Sequence, residues 1–144
     1  MTYKAVFCMV TGLVGGVIAQ LFGGWTAALT ILVICMGIDW VTGLLLAGVF
    51  QKSPHTETGG LSSAVGIRGI VRKVIIIFIV ILAHFADVLI GTGYIRDAVA
   101  IAFVCNEALS IIENAGLMGV PVPSVLMKAI DVLRRKAEPE VDEE

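Results

Sequence analysis

Long apolar runs separated by short polar breaks are the main pattern along this chain. A helix needs about 20 predominantly apolar residues to cross the hydrocarbon layer of a membrane. Runs of about that length cover residues 5–22, 27–50, 74–91 and 95–115. We therefore predict an all-α integral membrane protein with four transmembrane helices, all within a transmembrane domain at 1–120, and with short amphipathic cytoplasmic helices in addition.

The longest polar break, at 51–73, begins as a loop and becomes amphipathic from residue 61. In the segment 61–73, Arg68 and Arg72 stand four residues apart beside apolar positions, and Lys73 follows directly. This pattern suits a helix that lies on an anionic membrane surface. We therefore expect 61–73 to be a separate amphipathic segment outside the third span.

The C-terminal part follows a different pattern from the spans. Two prolines, Pro121 and Pro123, end the fourth run because proline cannot continue a helix. The pattern of residues 121–136 predicts a short amphipathic helix. We expect its Arg134 and Arg135 to lie on the membrane surface, together with Arg68, Arg72 and Lys73 of the segment 61–73. Residues 137–144 form an acidic tail that is too poor in apolar residues to fold, so we expect it to be disordered.

Composition and charge agree with a membrane protein and indicate its orientation. The chain has 144 residues, of which 58% are hydrophobic and only 15% charged. A soluble domain averages about 45–50% apolar and about 25% charged residues, so a soluble enzyme is excluded. With four spans, nine of the ten basic residues lie on the side of both termini, and Arg96 is the tenth. Basic residues concentrate on the cytoplasmic side, where we therefore expect both termini.

The cysteines and histidines give no sign of a metal or catalytic centre. Cys8, Cys35 and Cys105 lie inside apolar runs and are too widely spaced for a metal or redox motif. His55 in the loop and His84 in the third run do not form a cluster with them. We expect no enzyme activity, no catalytic residue, no metal, no cofactor and no nucleic-acid partner.

Small residues recur at helical spacing in the first run. Gly12 and Gly16 form one row, and Gly15 and Ala19 form a second row. Small residues at this spacing let two helix backbones approach closely in lipid. The rows predict either self-association of the protein through this helix or tight packing within one protomer.

A polar stripe runs along the fourth span, which is otherwise apolar. At about 100° per residue its members fall within an arc of roughly 120°. A carboxylate near the centre of a bilayer costs about 2.5–3.5 kcal/mol, so the stripe cannot face hydrocarbon. The members of the stripe are Asn106, Glu107, Ser110, Glu113 and Asn114.

Further polar residues lie in the second and third predicted spans. Asp39 is near the middle of the second, and His84 and Asp87 lie three residues apart in the third, where they form either a proton relay or a polar packing pair. Arg96 can offset Asp97 at the outer end of the fourth span, but no basic residue lies deeper inside a predicted span to neutralise the other acids. We therefore predict that copies of the protein assemble around water and that the stripe lines this pore. Hydrogen bonding between helices of a single protomer is the alternative.

Several motifs, in order along the chain, resemble the phage holin family, which includes clostridial toxin-export holins. The resemblance covers residues 37–136 and implies a small protein of the bacterial inner membrane that oligomerises suddenly into lesions. It implies that these lesions release an endolysin, or export a large toxin, as cargo without stable binding. It also implies the lipid bilayer and further copies of the chain as partners, with an anti-holin as a candidate partner. The motifs are Ile38-Asp39-Trp40-Val41-Thr42-Gly43, Lys52-Ser53-Pro54, Gly60-Leu61-Ser62-Ser63, the run from Asn106 to Gly116, and Gly119-Val120-Pro121-Val122-Pro123.

Two other functions fit the same pattern of residues. A small ion channel or proton-coupled transporter would use Asp39, His84, Asp87 and Glu107 as a relay. A non-conducting scaffold, or anti-holin, would insert and assemble without opening. The three functions differ in what crosses the membrane: folded protein, ions alone, or nothing.

Overall fold

The computed structural model describes residues 2–137, and every regular element in this part of the chain is an α-helix. The prediction of an all-α protein is therefore confirmed. From residue 138 onward, the predicted acidic tail lies outside the described residues, and so does the side chain of Arg134. The helices are α1 (Tyr3–Leu21), α2 (Ala27–Gly48), α3 (Ser63–Ile90), α4 (Ile95–Leu117) and α5 (Ser124–Ala137).

Glycines end helices α1 and α4 in the same way. Gly23 and Gly119 follow these helices with φ angles of +68° and +87°, which only glycine adopts without strain. The next N–H then turns back to the helix, so Gly24 N donates to Ala19 O and Val120 N donates to Ala115 O. This pattern is the Schellman motif, which satisfies carbonyls that the helix itself leaves unpaired.

Helix α3 differs from the prediction of a separate amphipathic segment at 61–73. It continues without a break from Ser63 to Ile90, because no proline interrupts it and the glycines at its start do not break it. At 1.5 Å per residue, its 28 residues measure about 42 Å, whereas the hydrocarbon layer is about 30 Å thick. A helix of this length extends beyond the hydrocarbon, and its first turns carry the basic residues.

Helices α2, α3 and α4 form the core of the bundle. Helix α4 packs against both α2 and α3. Since α3 runs in the opposite direction to α2 and α4, one end of the bundle, here called the loop end, holds the loop 49–62. The other end, the turn end, holds the turns 22–26 and 91–94. The buried apolar cluster between the helices consists of Phe22, Leu29, Leu32, Met36, Ile76, Val80 and Ala100.

Helix α5 returns alongside α4. Its Ile130 is buried, and the Cys105 sulfur of α4 lies 3.9 Å from the Ile130 carbonyl oxygen. Other apolar residues of α5, including Val125 and Leu133, remain exposed. The predicted amphipathic helix therefore exists, and part of its apolar side packs on α4.

Helix α1 contrasts with the rest of the bundle, because none of its residues is buried. A Cβ placed on Gly12, Gly15 or Gly16 would meet no atom within 4 Å. By length and composition, α1, α2 and α3 are candidate membrane spans. The fourth predicted span is helical, as α4, but is not among these candidates in the described part of the chain.

Candidate functional site

Three charged side chains from three different helices meet inside the bundle. The Lys73 ammonium of α3 donates a hydrogen bond to Asp39 Oδ2 of α2 at 2.9 Å. The same nitrogen contacts Glu107 Oε2 of α4. The Glu107 side chain is only 4% exposed, and those of Lys73 and Asp39 are 16% and 18% exposed. We call Asp39, Lys73 and Glu107 the inner charge cluster.

The inner charge cluster lies deep along the helices. Asp39 and Glu107 are each 12 residues beyond the first residue of their helices, which places them about 18 Å from the turn end. In a hydrocarbon layer about 30 Å thick, this depth is in the half nearer the loop end. Charges at such a depth require partners or water.

The position of Lys73 corrects two expectations from the sequence. The sequence predicted that Lys73 lies on the membrane surface and that no basic residue lies inside a span. Instead, Lys73 is on an unbroken α3 and its ammonium reaches between α2 and α4. A buried acid left without a partner is costly, so Lys73 supplies the neutralising charge that the apolar runs alone did not reveal.

The structure divides the predicted polar stripe of α4 between two surroundings. Glu107 is buried in the inner charge cluster, and Asn114 Nδ2 donates to Thr42 Oγ1 of α2 at 3.1 Å. Ser110 is partly buried on the same side, whereas Asn106 and Glu113 are exposed. Within the described residues, Glu113 has no hydrogen bond or ion pair. Bonding within one protomer thus accounts for part of the stripe and leaves Asn106 and Glu113 on the outer surface.

A cavity of about 450 Å³ adjoins the inner charge cluster at the loop end. Its floor includes the three charged residues together with Ser110 and Asn114. Its walls come from the loop after α2 and from the first turns of α3, including Arg68 and Arg72. The cavity therefore connects the buried charges to the end of the bundle that carries the basic residues.

A second polar group closes the turn end of the bundle. The buried Asp87 carboxylate of α3 accepts hydrogen bonds from the Thr92 hydroxyl at 2.6 Å, from Ile95 N at 3.0 Å and from Arg96 N at 2.9 Å. The two backbone donors are the first N–H groups of α4, which no helix carbonyl can satisfy. Asp87 therefore caps α4 from the neighbouring helix.

Arg96 ties the same end to the α1–α2 turn. Its Nη1 donates to the carbonyl oxygens of Phe22 at 2.6 Å and Gly23 at 3.1 Å, and its Nε donates to Asp97 Oδ1 at 3.0 Å. Asp97 also accepts a 3.4 Å hydrogen bond from the Thr26 hydroxyl. We call Asp87, Arg96 and Asp97 the turn-end cap cluster.

His84 does not form a proton relay with Asp87, which was one of the two interpretations of this pair. The structure records no hydrogen bond between these two described residues, and the acceptor sites of Asp87 are engaged with the start of α4. The His84 imidazole instead packs against Gly23, where it leaves no room for a Cβ. His84 lies 11 residues beyond Lys73, about 16 Å along α3. The structure therefore separates His84 and Asp87 from Asp39 and Glu107.

The other predicted residues remain at the surface. Gly12, Gly15 and Gly16 face open space on α1, and Ala19 is partly exposed. Arg68, Arg72 and Arg135 are exposed. The roles of Lys73 and Thr42 were not predicted from the sequence. The signal that could have placed Lys73 inside a long helix is the absence of any proline between residues 63 and 90.

Comparison with known proteins places these features in a family. The family model described as "Bacteriophage holin family" matches residues 16–135. An uncharacterized protein of Halalkalibacterium halodurans is 42% identical over 123 residues, which cover 81% of this chain and 85% of that protein. An uncharacterized protein of Listeria innocua is 36% identical over 124 residues, which cover 85% of this chain and 83% of that protein. An uncharacterized 14.9 kDa protein of Clostridium perfringens is 32% identical over 124 residues, which cover 85% of this chain and 88% of that protein. No solved structure matches the chain.

Proposed function

Because this chain belongs to the bacteriophage holin family, as the resemblance of its motifs indicated, we propose that it assembles in the bacterial inner membrane into pores that pass folded protein. The cargo would be an endolysin that lyses the host, or a large protein toxin. The protein itself would carry out no chemical reaction. In this proposal α4 is the fourth span, and both termini and the loop end are cytoplasmic.

This proposal rests on the exposed polar edge of α4, which consists of Asn106 and Glu113. Asn106 and Glu113 are seven residues apart, so they lie on the same face of the helix about 10 Å from each other. Neither is covered by α2, α3 or α5. An exposed carboxylate and amide on a membrane helix are unfavourable beside lipid, whereas water in a shared lumen would solvate both.

Helix α1 supplies a surface through which copies could assemble. Its glycines have open space within the protomer, so packing inside one copy does not explain their spacing. A second copy could approach closely along Gly12 and Gly16, where no side chain intervenes. We propose that assembly uses this face and turns the polar edge of α4 toward the lumen.

The inner charge cluster supports a closed protomer as the starting state. Because Lys73 pairs with both Asp39 and Glu107, each of the deepest carboxylates has an ionic partner inside one copy, so a single protomer can reside in the membrane without leakage. In this respect the proposal differs from the sequence-based expectation that Glu107 lines the pore. Asn106 and Glu113 replace Glu107 as the lining residues.

A proton-coupled transporter is less well supported by the geometry. Its relay would require Asp39, Glu107, His84 and Asp87 to communicate, yet the second pair lies about 16–21 Å along α3 from Lys73. Asp87 is already engaged as a helix cap. A non-conducting anti-holin would have the same protomer structure as a holin. It would differ from a holin only in that its assembly releases nothing.

Lysis of bacteria that produce the protein together with an endolysin tests the proposal. Glu113→Leu should delay or abolish lysis while membrane insertion is retained, because the lumen loses its carboxylate. Glu57→Leu is the matched control, since it removes another exposed carboxylate, here from the loop. Gly12→Leu with Gly16→Leu should also block lysis and lower the oligomer size, because the protomer has room for the new side chains but a neighbouring helix does not.

Liposomes loaded with a folded protein and with a small ion distinguish the three functions. Release of both supports the holin proposal. Release of the ion alone would favour the transporter, and release of neither by an inserted oligomer would favour the anti-holin. Lysis on an unchanged schedule by Glu113→Leu would contradict the role of the exposed polar edge.

A further inference from the structure

The cavity at the loop end has the size and the lining of a ligand site. Its volume of about 450 Å³ lies in the range of small-molecule sites, about 300–1,000 Å³. Apolar side chains and polar groups share its lining, and the apolar part includes Trp40, Leu44, Leu61 and Val65. Pore formation as proposed above makes no use of this cavity.

The charges of the cavity are arranged unequally between its floor and its mouth. At the floor, Lys73 is committed to Asp39 and Glu107, which leaves a surplus of one negative charge. Arg68 and Arg72 lie one turn apart on α3, and both line the cavity. Neither arginine has an ion pair or hydrogen bond to any residue that the structure describes. The mouth therefore offers two unpaired guanidinium groups, which favour an anion there and not at the floor.

Phosphate is the anion that these groups fit best. A guanidinium group presents its N–H donors in a planar fork that matches two phosphate oxygens. Ser62 and Ser63 add hydroxyl groups to the same lining, and the Ser62 side chain makes no capping hydrogen bond to α3. Two guanidinium groups beside two hydroxyl groups can surround a phosphate ester. The organic part of the ester would contact the apolar side chains of the cavity.

The depth of the arginines agrees with a lipid headgroup as the source of the phosphate. Arg72 and Arg68 lie 18 and 22 residues before the end of α3, about 27 and 33 Å along its axis. The hydrocarbon layer is about 30 Å thick, so the two side chains lie where it meets the headgroups. We propose that the cavity binds the phosphate group of an anionic phospholipid through Arg68 and Arg72.

Titration of the full chain in a neutral detergent tests this site, with bound lipid counted by native mass spectrometry. The probes are phosphatidylglycerol, diacylglycerol without phosphate, and soluble glycerol 3-phosphate. Phosphatidylglycerol should bind the unchanged protein at one site per protomer, and diacylglycerol should not. The double variant Arg68→Gln, Arg72→Gln should bind about tenfold more weakly or less, because charge-assisted hydrogen bonds are lost.

Two further variants distinguish binding of the lipid inside the cavity from a general attraction of anionic lipid to basic residues. Lys128→Gln with Arg135→Gln removes the same charge from exposed positions of α5 and should leave binding unchanged. Gly69→Leu keeps every charge but places a side chain in the cavity, where a Cβ meets no atom within 4 Å, and should weaken binding about as much as the arginine changes.

The outcomes decide the site and its ligand independently of lysis. Equal weakening by the α5 variant, full binding by Gly69→Leu, or no phosphatidylglycerol bound by the unchanged protein would each overturn the proposal. If glycerol 3-phosphate binds as tightly as the lipid and shows the same response to the variants, the phosphate site is supported with a soluble ester as its source.

Discussion

The inner charge cluster and the turn-end cap cluster both bury carboxylates, but they satisfy them in different ways. In the turn-end cap cluster, Asp87 accepts from a hydroxyl and two backbone N–H groups, all within nine residues of it in the chain. In the inner charge cluster, Asp39 and Glu107 share one ammonium group, and each is 34 residues from Lys73. The first cluster is a local cap, whereas the second exists only while three helices stay together.

This difference assigns the two clusters different roles. A helix cap persists as long as the turn between α3 and α4 persists, because its donors are part of that turn. The inner charge cluster is lost when α2, α3 and α4 separate, and its acids then need water or new partners. A membrane protein that rearranges on assembly would therefore keep the turn-end cap cluster and reorganise the inner charge cluster.

Removing Lys73 should have the largest effect on stability. Lys73→Met leaves Asp39 and Glu107 buried without a partner, and breaking a buried ion pair in this way costs about 3–5 kcal/mol. We expect a loss of that size in the free energy of unfolding, measured by denaturant titration of the purified protein in mixed micelles.

A neutral triple variant serves as the control for that measurement. Asp39→Asn, Lys73→Met and Glu107→Gln together remove every charge, so most of the lost stability should return. If Lys73→Met unfolds like the unchanged protein, the inner charge cluster does not hold the bundle closed.

Removing the cap on α4 should have a smaller effect. Asp87→Ala leaves two backbone N–H groups at the start of the helix without an acceptor, which we expect to cost about 2 kcal/mol in the same measurement. Asp97→Ala is the matched control in the same cluster. Its carboxylate is 38% exposed, so its loss should cost less than about 1 kcal/mol. Equal costs for the two variants would contradict the assignment of Asp87 as the cap.

The smallest expected effect concerns the hydrogen bond between α4 and α2 near the loop end. Asn114→Ala should cost about 0.6 kcal/mol, the average for such bonds between membrane helices. A double-mutant cycle with Thr42→Val isolates the pair, and the coupling energy should be of similar size. A coupling of zero would mean that the two side chains do not bond in the membrane.

The sequence indicated most of the helical architecture because apolar runs and turn residues are local signals. The helices lie at the predicted runs, and the turns at Gly23 and Gly91 lie where glycines interrupt them. The exception was the start of the third helix, which was predicted at residue 74 and lies at Ser63. There, basic residues suggested a separate surface segment, although the backbone had no reason to break.

The site was less predictable because it depends on which helix faces which. Periodicity correctly grouped Glu107, Ser110 and Asn114 on one side of α4, but the predicted stripe was wider than the face that α2 and α3 cover, so Asn106 and Glu113 lie outside it. The pairing of Asp87 with the start of α4, and not with His84, also depends on the path of the turn.

By itself, the sequence determined a helical membrane protein of the holin family, since run lengths, turn glycines and ordered motifs are properties of consecutive residues. Only the tertiary structure decided that Lys73 pairs with both Asp39 and Glu107, that Glu113 stays outside and that Arg68 and Arg72 share a cavity. The physical reason is that charge pairing depends on distances between residues far apart in the chain, which helix packing alone establishes.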